Sequence, residues 1–214
     1  MRTLVRFHPQ IESADQNDEL RDLLSASEGI NLGFAYLEGA ASFAPATDVE
    51  RVPPGLAAAI VWLDGLTANP DRTARNPNLL WWQDELWLID HGAAVAFQYG
   101  LPDMDSSAPR RPYVLREPHL LQLRAAELQS RDEQFAERLT RQAVVDAVAR
   151  VPDEFLVPLL HGATPRDPLA ERRKAYVEYL MRRLEPPRPF LEPMVTPANQ
   201  QPRRGRPAWM ERGR

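Results

Sequence analysis

Apolar residues recur at helical spacing along most of the chain. The first such stretch follows Asn17, a residue suited to cap a helix, and it ends before Gly29. A second stretch, residues 55–66, follows two prolines and is apolar at nearly every position, so we expect a helix that is buried on most sides. The same spacing predicts further helices at residues 120–129, 131–139, 141–149, 153–161 and 168–184.

Short apolar runs predict a smaller number of strands. Residues 79–82, LLWW, and 86–90, LWLID, flank a polar turn and predict a β-hairpin that is packed on both faces. A strand is also predicted at residues 3–7, TLVRF, but no neighbouring run offers it a partner. Residues 30–45 mix glycine, alanine and aromatic residues and predict irregular or short-strand structure. Together these patterns predict an α+β fold that is mainly α.

The last part of the chain differs in composition from the rest. Proline and arginine are frequent from residue 187 to 214, and we expect this segment to be a disordered tail. It contains PRRGRP at residues 202–207, which resembles the AT-hook core that places arginines in a narrow minor groove. Weak DNA association through the tail is therefore one alternative function, although a solvated arginine-rich tail explains the motif equally well.

The overall composition excludes several classes of protein. The 214 residues are 43% hydrophobic and 26% charged with a formal net charge of -4, which is typical of a globular domain without a general nucleic-acid-binding surface. The absence of cysteine excludes disulfides, thiolate metal sites and cysteine nucleophiles. The N-terminus has no apolar signal core, and no apolar run reaches the ~18 residues of a membrane span, so we expect a cytoplasmic protein with no membrane partner.

Three oxygen-bearing residues near the predicted hairpin indicate phosphoryl transfer. Asp71 and Asn76 have the separation of the kinase pattern Asp-x-x-x-x-Asn, and Asp90 begins the Asp-x-Gly pattern that follows it. In that chemistry one carboxylate receives the proton of the acceptor hydroxyl, while amide and carboxylate oxygens hold Mg²⁺ on the phosphates. If the hairpin turns around Asp84, then Asp90 lies opposite Asn78 and comes within reach of Asn76.

Two neighbouring residues leave alternatives open. Asn78 is a second candidate for the amide ligand, because Asn76 precedes a proline and could serve only to start a turn. Asp64 lies in the apolar helix just before the loop. Either it is exposed, or it is buried and forms hydrogen bonds to the backbone of the loop.

Residues 62–80, WLDGLTANPDRTARNPNLL, and 86–93, LWLIDHGA, resemble the HipA-like kinase family of bacteria. Two later runs, VPDEFLVPLL and AYVEYLMRRL, extend the resemblance to about residues 29–191. It implies a protein-kinase-like C-terminal lobe in which Asp71 is the catalytic base and Arg72 orients the loop. It further implies that Asn76 and Asp90 are the Mg²⁺ ligands and that ATP is the nucleotide. The acceptor would be either a small molecule or a protein, and a protein would be phosphorylated on serine or threonine.

Two parts of a complete kinase are not found before Asp71. Residues 1–70 contain neither Gly-x-Gly-x-x-Gly nor a lysine, and Lys174 is the only lysine in the chain. We therefore expect residues 1–28 to be a remnant of the connection to an N-terminal lobe and residues 29–186 to be the kinase-like lobe. Such a truncated phosphotransferase should be inactive alone and should expose an apolar side that favours self-association. The alternative is a non-catalytic pseudokinase module that binds or regulates a partner.

Overall fold

The computed structural model describes residues 2–8, 18–103, 106–112, 115–157 and 168–195. The chain divides into two compact units, Met1–Ala40 and Ala41–Arg214. Both contain helices and antiparallel strands, so the prediction of an α+β fold is confirmed. Among the helices of the described ranges, none is both long enough and apolar enough to cross a membrane.

The first unit is a pair of strands connected through a helix. Strand β1, Arg2–Phe7, pairs antiparallel with β2, Gly29–Phe34, and helix α1, Asp18–Ala26, lies between them in sequence. The strand predicted at residues 3–7 therefore has a partner, which falls in the stretch predicted as irregular or short strands. This pairing places residues 29–34 with the N-terminal unit, so that unit extends past the boundary predicted at residue 28.

The second unit combines a three-stranded antiparallel sheet with helices. The strands, in the order β3–β4–β5, are Ala41–Ser42, Leu79–Trp82 and Glu85–Leu88. The α-helices are α2 Pro45–Asp48, α3 Pro54–Thr67, α4 Leu128–Arg138, α5 Arg141–Ala149, α6 Asp153–Leu156, α7 Pro168–Leu184 and α8 Leu191–Val195. Short 3-10 helices occupy Val49–Arg51, Ala96–Asp103 and Ala108–Arg110.

The helix predictions are most accurate where the apolar pattern is long. Helices α3 and α7 match the predicted stretches 55–66 and 168–184, and each has proline at its first position, where the missing N–H needs no partner. Residues 120–127 form turns and no helix, which corrects the prediction there, and α4 begins only at Leu128. The helix predicted at residues 153–161 is described only as α6, because residues 158–167 lie outside the described residues.

Helix α3 lies at the centre of the core of the second unit. Its Trp62 packs against Phe135 of α4 and against Phe190, which immediately precedes α8. Phe190 and Met194 are completely buried, and Arg188 forms a buried ion pair with Asp132. Residues 188–194 are thus packed, which corrects the prediction that disorder begins at residue 187. Apolar residues spaced four apart supply the helical contacts there despite the frequent prolines. The arginine motif at residues 202–207 lies outside the described residues.

An arginine of α7 binds the C-terminal end of α3. The last carbonyl groups of a helix have no partner within it, and Arg183 donates to the carbonyl oxygens of Gly65 at 3.0 Å and Leu66 at 2.9 Å. The same guanidinium donates to the carbonyl oxygens of Pro109 and Arg111, both at 3.4 Å. This buried cation therefore joins three segments and fixes the helix end that precedes residues 69–78, which we call the candidate loop.

The hairpin formed by β4 and β5 carries the other end of the candidate loop. Its turn consists of two residues, Gln83 and Asp84, and both have the positive φ angles (51° and 61°) that a type I′ turn requires. The resulting register places Asn78 opposite Ile89, whose N–H donates to the Asn78 carbonyl oxygen at 3.0 Å. The predicted hairpin is confirmed, but the prediction that Asp90 lies opposite Asn78 is wrong by one residue.

Candidate functional site

A loop at residues 69–78 connects α3 to β4. Helix α3 ends at Thr67 and is followed by Ala68, which has a left-handed backbone, and the N–H of Asn69 donates to the Asp64 carbonyl oxygen at 2.8 Å. Within the loop, the Thr73 N–H donates to the Asn76 carbonyl oxygen at 3.0 Å, and the Asn76 N–H donates to the Thr73 hydroxyl at 3.2 Å. These bonds make the loop a compact turn with fixed ends.

Two amides and two aspartates meet where the loop reaches the hairpin, and we call Asp71, Asn76, Asn78 and Asp90 the amide–carboxylate cluster. Oδ2 of Asp71 accepts hydrogen bonds from the side-chain amides of Asn76 at 2.9 Å and Asn78 at 3.2 Å. The Asn78 amide nitrogen also lies 3.5 Å from the carbonyl oxygen of Asp90. Because both oxygens approach the same nitrogen, at most about 7 Å separates them. The structure thus brings the loop and the end of the hairpin together.

Asp90 occupies a tight turn of its own. Its φ angle is 46°, and its Oδ1 accepts a hydrogen bond from the Gly92 N–H at 3.2 Å. Asp90 is exposed, whereas Asp71 is partly buried. No group of three His, Cys, Asp or Glu residues within the described ranges could hold a metal ion. A metal bound at this cluster would therefore need amide oxygens, from Asn76 or Asn78, in addition to the carboxylates.

The residue next to Asp71 belongs to a different group, which we call the buried ion cluster: Asp64, Asn69, Arg72 and His119. Nε of Arg72 donates to Oδ2 of Asp64 at 2.6 Å, and Nε2 of His119 lies 2.9 Å from the same oxygen. The other Asp64 oxygen accepts from the Asn69 amide at 2.9 Å. Arg72 also donates through Nη1 to the Asn78 carbonyl oxygen at 2.6 Å, which joins the buried ion cluster to the amide–carboxylate cluster.

The buried ion cluster keeps Asp64 ionised in the protein interior. Burial alone raises the pKa of a carboxyl group, because the charged form is poorly solvated there. Hydrogen bonds from His119 and Arg72 and the positive charge of Arg72 outweigh burial and lower the pKa of Asp64 to about 2. The Asp64 and Arg72 side chains have 0% of their surface exposed, so this pair serves to hold the loop and is not accessible to a ligand.

His91 lies beside the guanidinium of Arg72. Its Nε2 is 3.4 Å from Nη2 of Arg72, and because arginine has only donors, His91 accepts this contact through an unprotonated nitrogen. Burial, followed by the charge of Arg72, lowers the pKa of His91. A neutral imidazole at this position adds no positive charge next to the guanidinium.

Part of this arrangement agrees with the expectations from the sequence. The Asp-x-x-x-x-Asn and Asp-x-Gly motifs lie on the two segments that meet. Asn78, the alternative amide ligand, is the residue that contacts both segments. The side-chain nitrogens of both asparagines face Asp71.

The buried ion cluster is less accessible to sequence reasoning. Asp64 is buried, as one of the two alternatives has it, but its carboxylate bonds to side chains and not to the loop backbone. Asn69 resembles the start of an ordinary Asn-Pro turn. No periodicity or motif connects Asp64 to His119, which lies 55 positions later in the sequence.

Comparison with known proteins adds no assignment. No protein-family model, curated protein or solved structure matches the chain. The resemblance to HipA-like kinases therefore stays a prediction, based on the motifs at residues 62–80 and 86–93. The basis for a functional proposal is the geometry of the two clusters together with those motifs.

Proposed function

We propose that the second unit binds Mg²⁺–ATP at the amide–carboxylate cluster and is the catalytic-loop lobe of a HipA-like phosphotransferase. The Asn78 amide is the observation that supports this most, because it lies within 3.5 Å of both Asp71 Oδ2 and the Asp90 carbonyl oxygen. It connects the loop that bears Asp-x-x-x-x-Asn to the hairpin end that bears Asp-x-Gly. Phosphoryl transfer depends on holding these two elements in one place.

The donor atoms of the cluster suit Mg²⁺. This ion prefers hard oxygen ligands and is usually held by one or two carboxylates together with water and phosphate oxygens. Asp90 would supply a carboxylate and Asn76 an amide oxygen, with Asn78 as the alternative amide. When bound, Mg²⁺ supplies charge neutralisation of the phosphate oxygens.

Asp71 is suited to accept the proton of an acceptor hydroxyl. Two amide hydrogen bonds to its Oδ2 restrict the orientation of the carboxylate. The residue is only partly buried, so a hydroxyl group on a protein or small molecule can reach it. Arg72 acts from the interior, since its bond to the Asn78 carbonyl oxygen holds the residue that contacts Asp71.

A non-catalytic binding module is the second candidate, and the position of the single lysine favours it. In protein kinases a lysine that precedes the catalytic loop binds the nucleotide phosphates. Lys174 instead lies on α7 and pairs with Glu171 of the same helix at 3.8 Å. For the proposed lobe we therefore expect measurable Mg²⁺–ATP binding with negligible phosphate transfer by this polypeptide alone, whereas the non-catalytic module is expected to bind no nucleotide.

Calorimetric titration with ATP tests the proposal. Saturable binding is expected with Mg²⁺ and not with excess EDTA, and Asp90→Ala should weaken it at least about tenfold, because even indirect partners of a metal commonly contribute that much. Asp146→Asn is the matched control, since it removes an exposed carboxylate on α5 that contacts Gln142. Circular dichroism verifies that each variant is folded.

The two candidates give different results in this experiment. Absence of Mg²⁺-dependent binding by the folded wild-type chain contradicts the proposal and leaves the binding module. Equal loss of affinity in Asp90→Ala and Asp146→Asn also contradicts it, because the cluster would then have no special role. Robust transfer of the γ-phosphate that is abolished by Asp71→Ala would support catalysis and overturn our expectation of inactivity.

A further inference from the structure

The segment that begins at His119 contacts the buried ion cluster from a distant part of the chain. The His119 side chain has 1% of its surface exposed, and the carboxylate it contacts is completely buried. The next residue, Leu120, donates its N–H to the Arg72 carbonyl oxygen at 2.9 Å. One short segment therefore contacts helix α3 through a side chain and the candidate loop through the backbone.

Hydrogen bonding determines which nitrogen of His119 carries the proton. The Leu121 N–H donates to Nδ1 of His119 at 3.1 Å, so Nδ1 is an acceptor and has no proton. The proton is then on Nε2, which donates to Oδ2 of Asp64 at 2.9 Å. The backbone of residue 121 thus orients the imidazole as a donor towards Asp64.

From Asp64 the contacts continue to the amide–carboxylate cluster. The same Oδ2 that binds His119 accepts from Nε of Arg72 at 2.6 Å. Nη1 of Arg72 donates to the Asn78 carbonyl oxygen at 2.6 Å. The Asn78 side chain in turn donates to Oδ2 of Asp71. Each step is a direct hydrogen bond, and four of the residues along it, Asp64, Arg72, Asn78 and His119, are buried.

We propose that His119 is a positioning residue for the amide–carboxylate cluster and acts through Asp64 and Arg72. Its donor hydrogen holds the Asp64 carboxylate in the orientation that directs the Arg72 guanidinium to Asn78. Removal of the donor leaves a buried carboxylate oxygen with one partner fewer, so Asp64 and Arg72 shift and Asn78 loses its fixed position. The consequence for ligand affinity rests on the proposed Mg²⁺–ATP site, whereas the consequence for Asn78 does not.

Three variants test this inference. His119→Gln keeps an N–H donor at a similar reach, and His119→Leu keeps the volume but has no donor. Val144→Ala, in the buried contact of α5 with α7, is the control that lowers stability by removing apolar atoms elsewhere. Should His119→Leu fail to fold, His119→Asn, whose shorter amide falls short of Asp64, takes its place.

The first measurement is the NMR signal of the Asn78 side-chain amide in protein labelled with ¹⁵N-asparagine, recorded without nucleotide. We expect this signal to shift or broaden in His119→Leu and to remain unchanged in His119→Gln and Val144→Ala. The second measurement is the dissociation constant for Mg²⁺–ATP, which should rise about tenfold in His119→Leu, as for other outer partners of metal ligands. It should stay within about twofold of wild type in the other two variants.

Each result decides one point. A folded His119→Leu or His119→Asn variant with wild-type Asn78 signals overturns the inference. If His119→Gln behaves like His119→Leu, the donor hydrogen is not the relevant property and the inference also fails. If the wild-type chain does not bind Mg²⁺–ATP, the proposed function is rejected, and the Asn78 signal still decides whether His119 positions the cluster.

Discussion

Asp71 and Arg72 are neighbours in sequence but belong to two clusters with opposite properties. Arg72 and its partner Asp64 have no exposed side-chain surface, and hydrogen bonds surround the carboxylate. Asp71 is only partly buried, and its carboxylate contacts two neutral amides. The difference teaches that a single loop can use one charged residue to fix its backbone and the next to face a ligand. The following predictions test this division.

The largest expected difference between the clusters is in stability. Asp64→Ala leaves the Arg72 cation buried without its carboxylate, and loss of one partner of a buried ion pair typically lowers the free energy of unfolding by about 3–5 kcal/mol. Asp71→Ala removes amide contacts at a partly exposed site, for which about 1 kcal/mol is expected. Urea unfolding of both variants measures the two changes. Equal losses would show that the two clusters do not differ in the way we describe.

A smaller effect is expected in the pH dependence of stability. The pKa of Asp64 is lowered from an ordinary value of 3.8 to about 2 in the folded chain. The unfolded chain therefore binds a proton first as the pH falls. The stabilisation is complete above about pH 4 and is lost between there and about pH 2, and its total is about 2 kcal/mol.

Comparison with Asp64→Asn isolates this contribution. The difference in free energy of unfolding between the wild type and Asp64→Asn should narrow by about 2 kcal/mol from pH 5 to pH 2. Urea titrations at a series of pH values measure it. A constant difference over this range would mean that Asp64 is not held as a carboxylate by the buried ion cluster.

The smallest expected effects on stability come from substituting two glycines, one beside each cluster. A Cβ at Gly65 would lie 2.8 Å from a ring carbon of Phe190, so Gly65→Ala should lower the free energy of unfolding by at least about 1 kcal/mol. A Cβ at Gly92 would lie 3.2 Å from Oδ1 of Asp90, an exposed side chain that can move, so less than about 0.5 kcal/mol is expected.

For ligand binding the order of the two glycine substitutions should be the reverse of their order for stability. Gly92→Ala displaces the Asp90 carboxylate and should weaken Mg²⁺–ATP binding, whereas Gly65→Ala should leave the affinity within about twofold while it remains folded. Thermal unfolding and calorimetric titration on both variants provide the two readings. If Gly65→Ala lost affinity and Gly92→Ala did not, the assignment of ligand contacts to the amide–carboxylate cluster would be contradicted.

The local pattern of apolar residues was sufficient to predict those helices and strands whose apolar positions form one continuous stretch of sequence. The apolar run at residues 55–66, the two hairpin strands and the helix at residues 168–184 were all predictable, because burial acts on every position of these segments. The pairing of β1 with β2 was not predictable, because a helix separates the two strands in the sequence. Helix α8 was hidden because its few apolar residues lie among prolines that suggest disorder.

The site was predictable to the same degree. Motif spacing located the residues of the amide–carboxylate cluster, and the error of one residue in the register arose at Gln83 and Asp84. These residues adopt positive φ angles that are usually associated with glycine or asparagine. The contact of His119 with Asp64 depends on tertiary packing of a segment with no regular structure of its own. No local property of the sequence indicates that these two residues are in contact.

The bonds from Arg183 to the end of α3 have a consequence for the order in which the chain acquires its structure. During synthesis from the N-terminus, residues 69–78 leave the ribosome long before residue 183 does. Until that arginine arrives, the Leu66 carbonyl group lacks its bond from Arg183, and the Gly65 carbonyl group keeps only the hydrogen bond from the Ala68 N–H at 3.3 Å. The nascent protein thus contains every residue of the amide–carboxylate cluster well before the helix end that supports it is secured, and we expect the loop to gain its final rigidity only after α7 has docked.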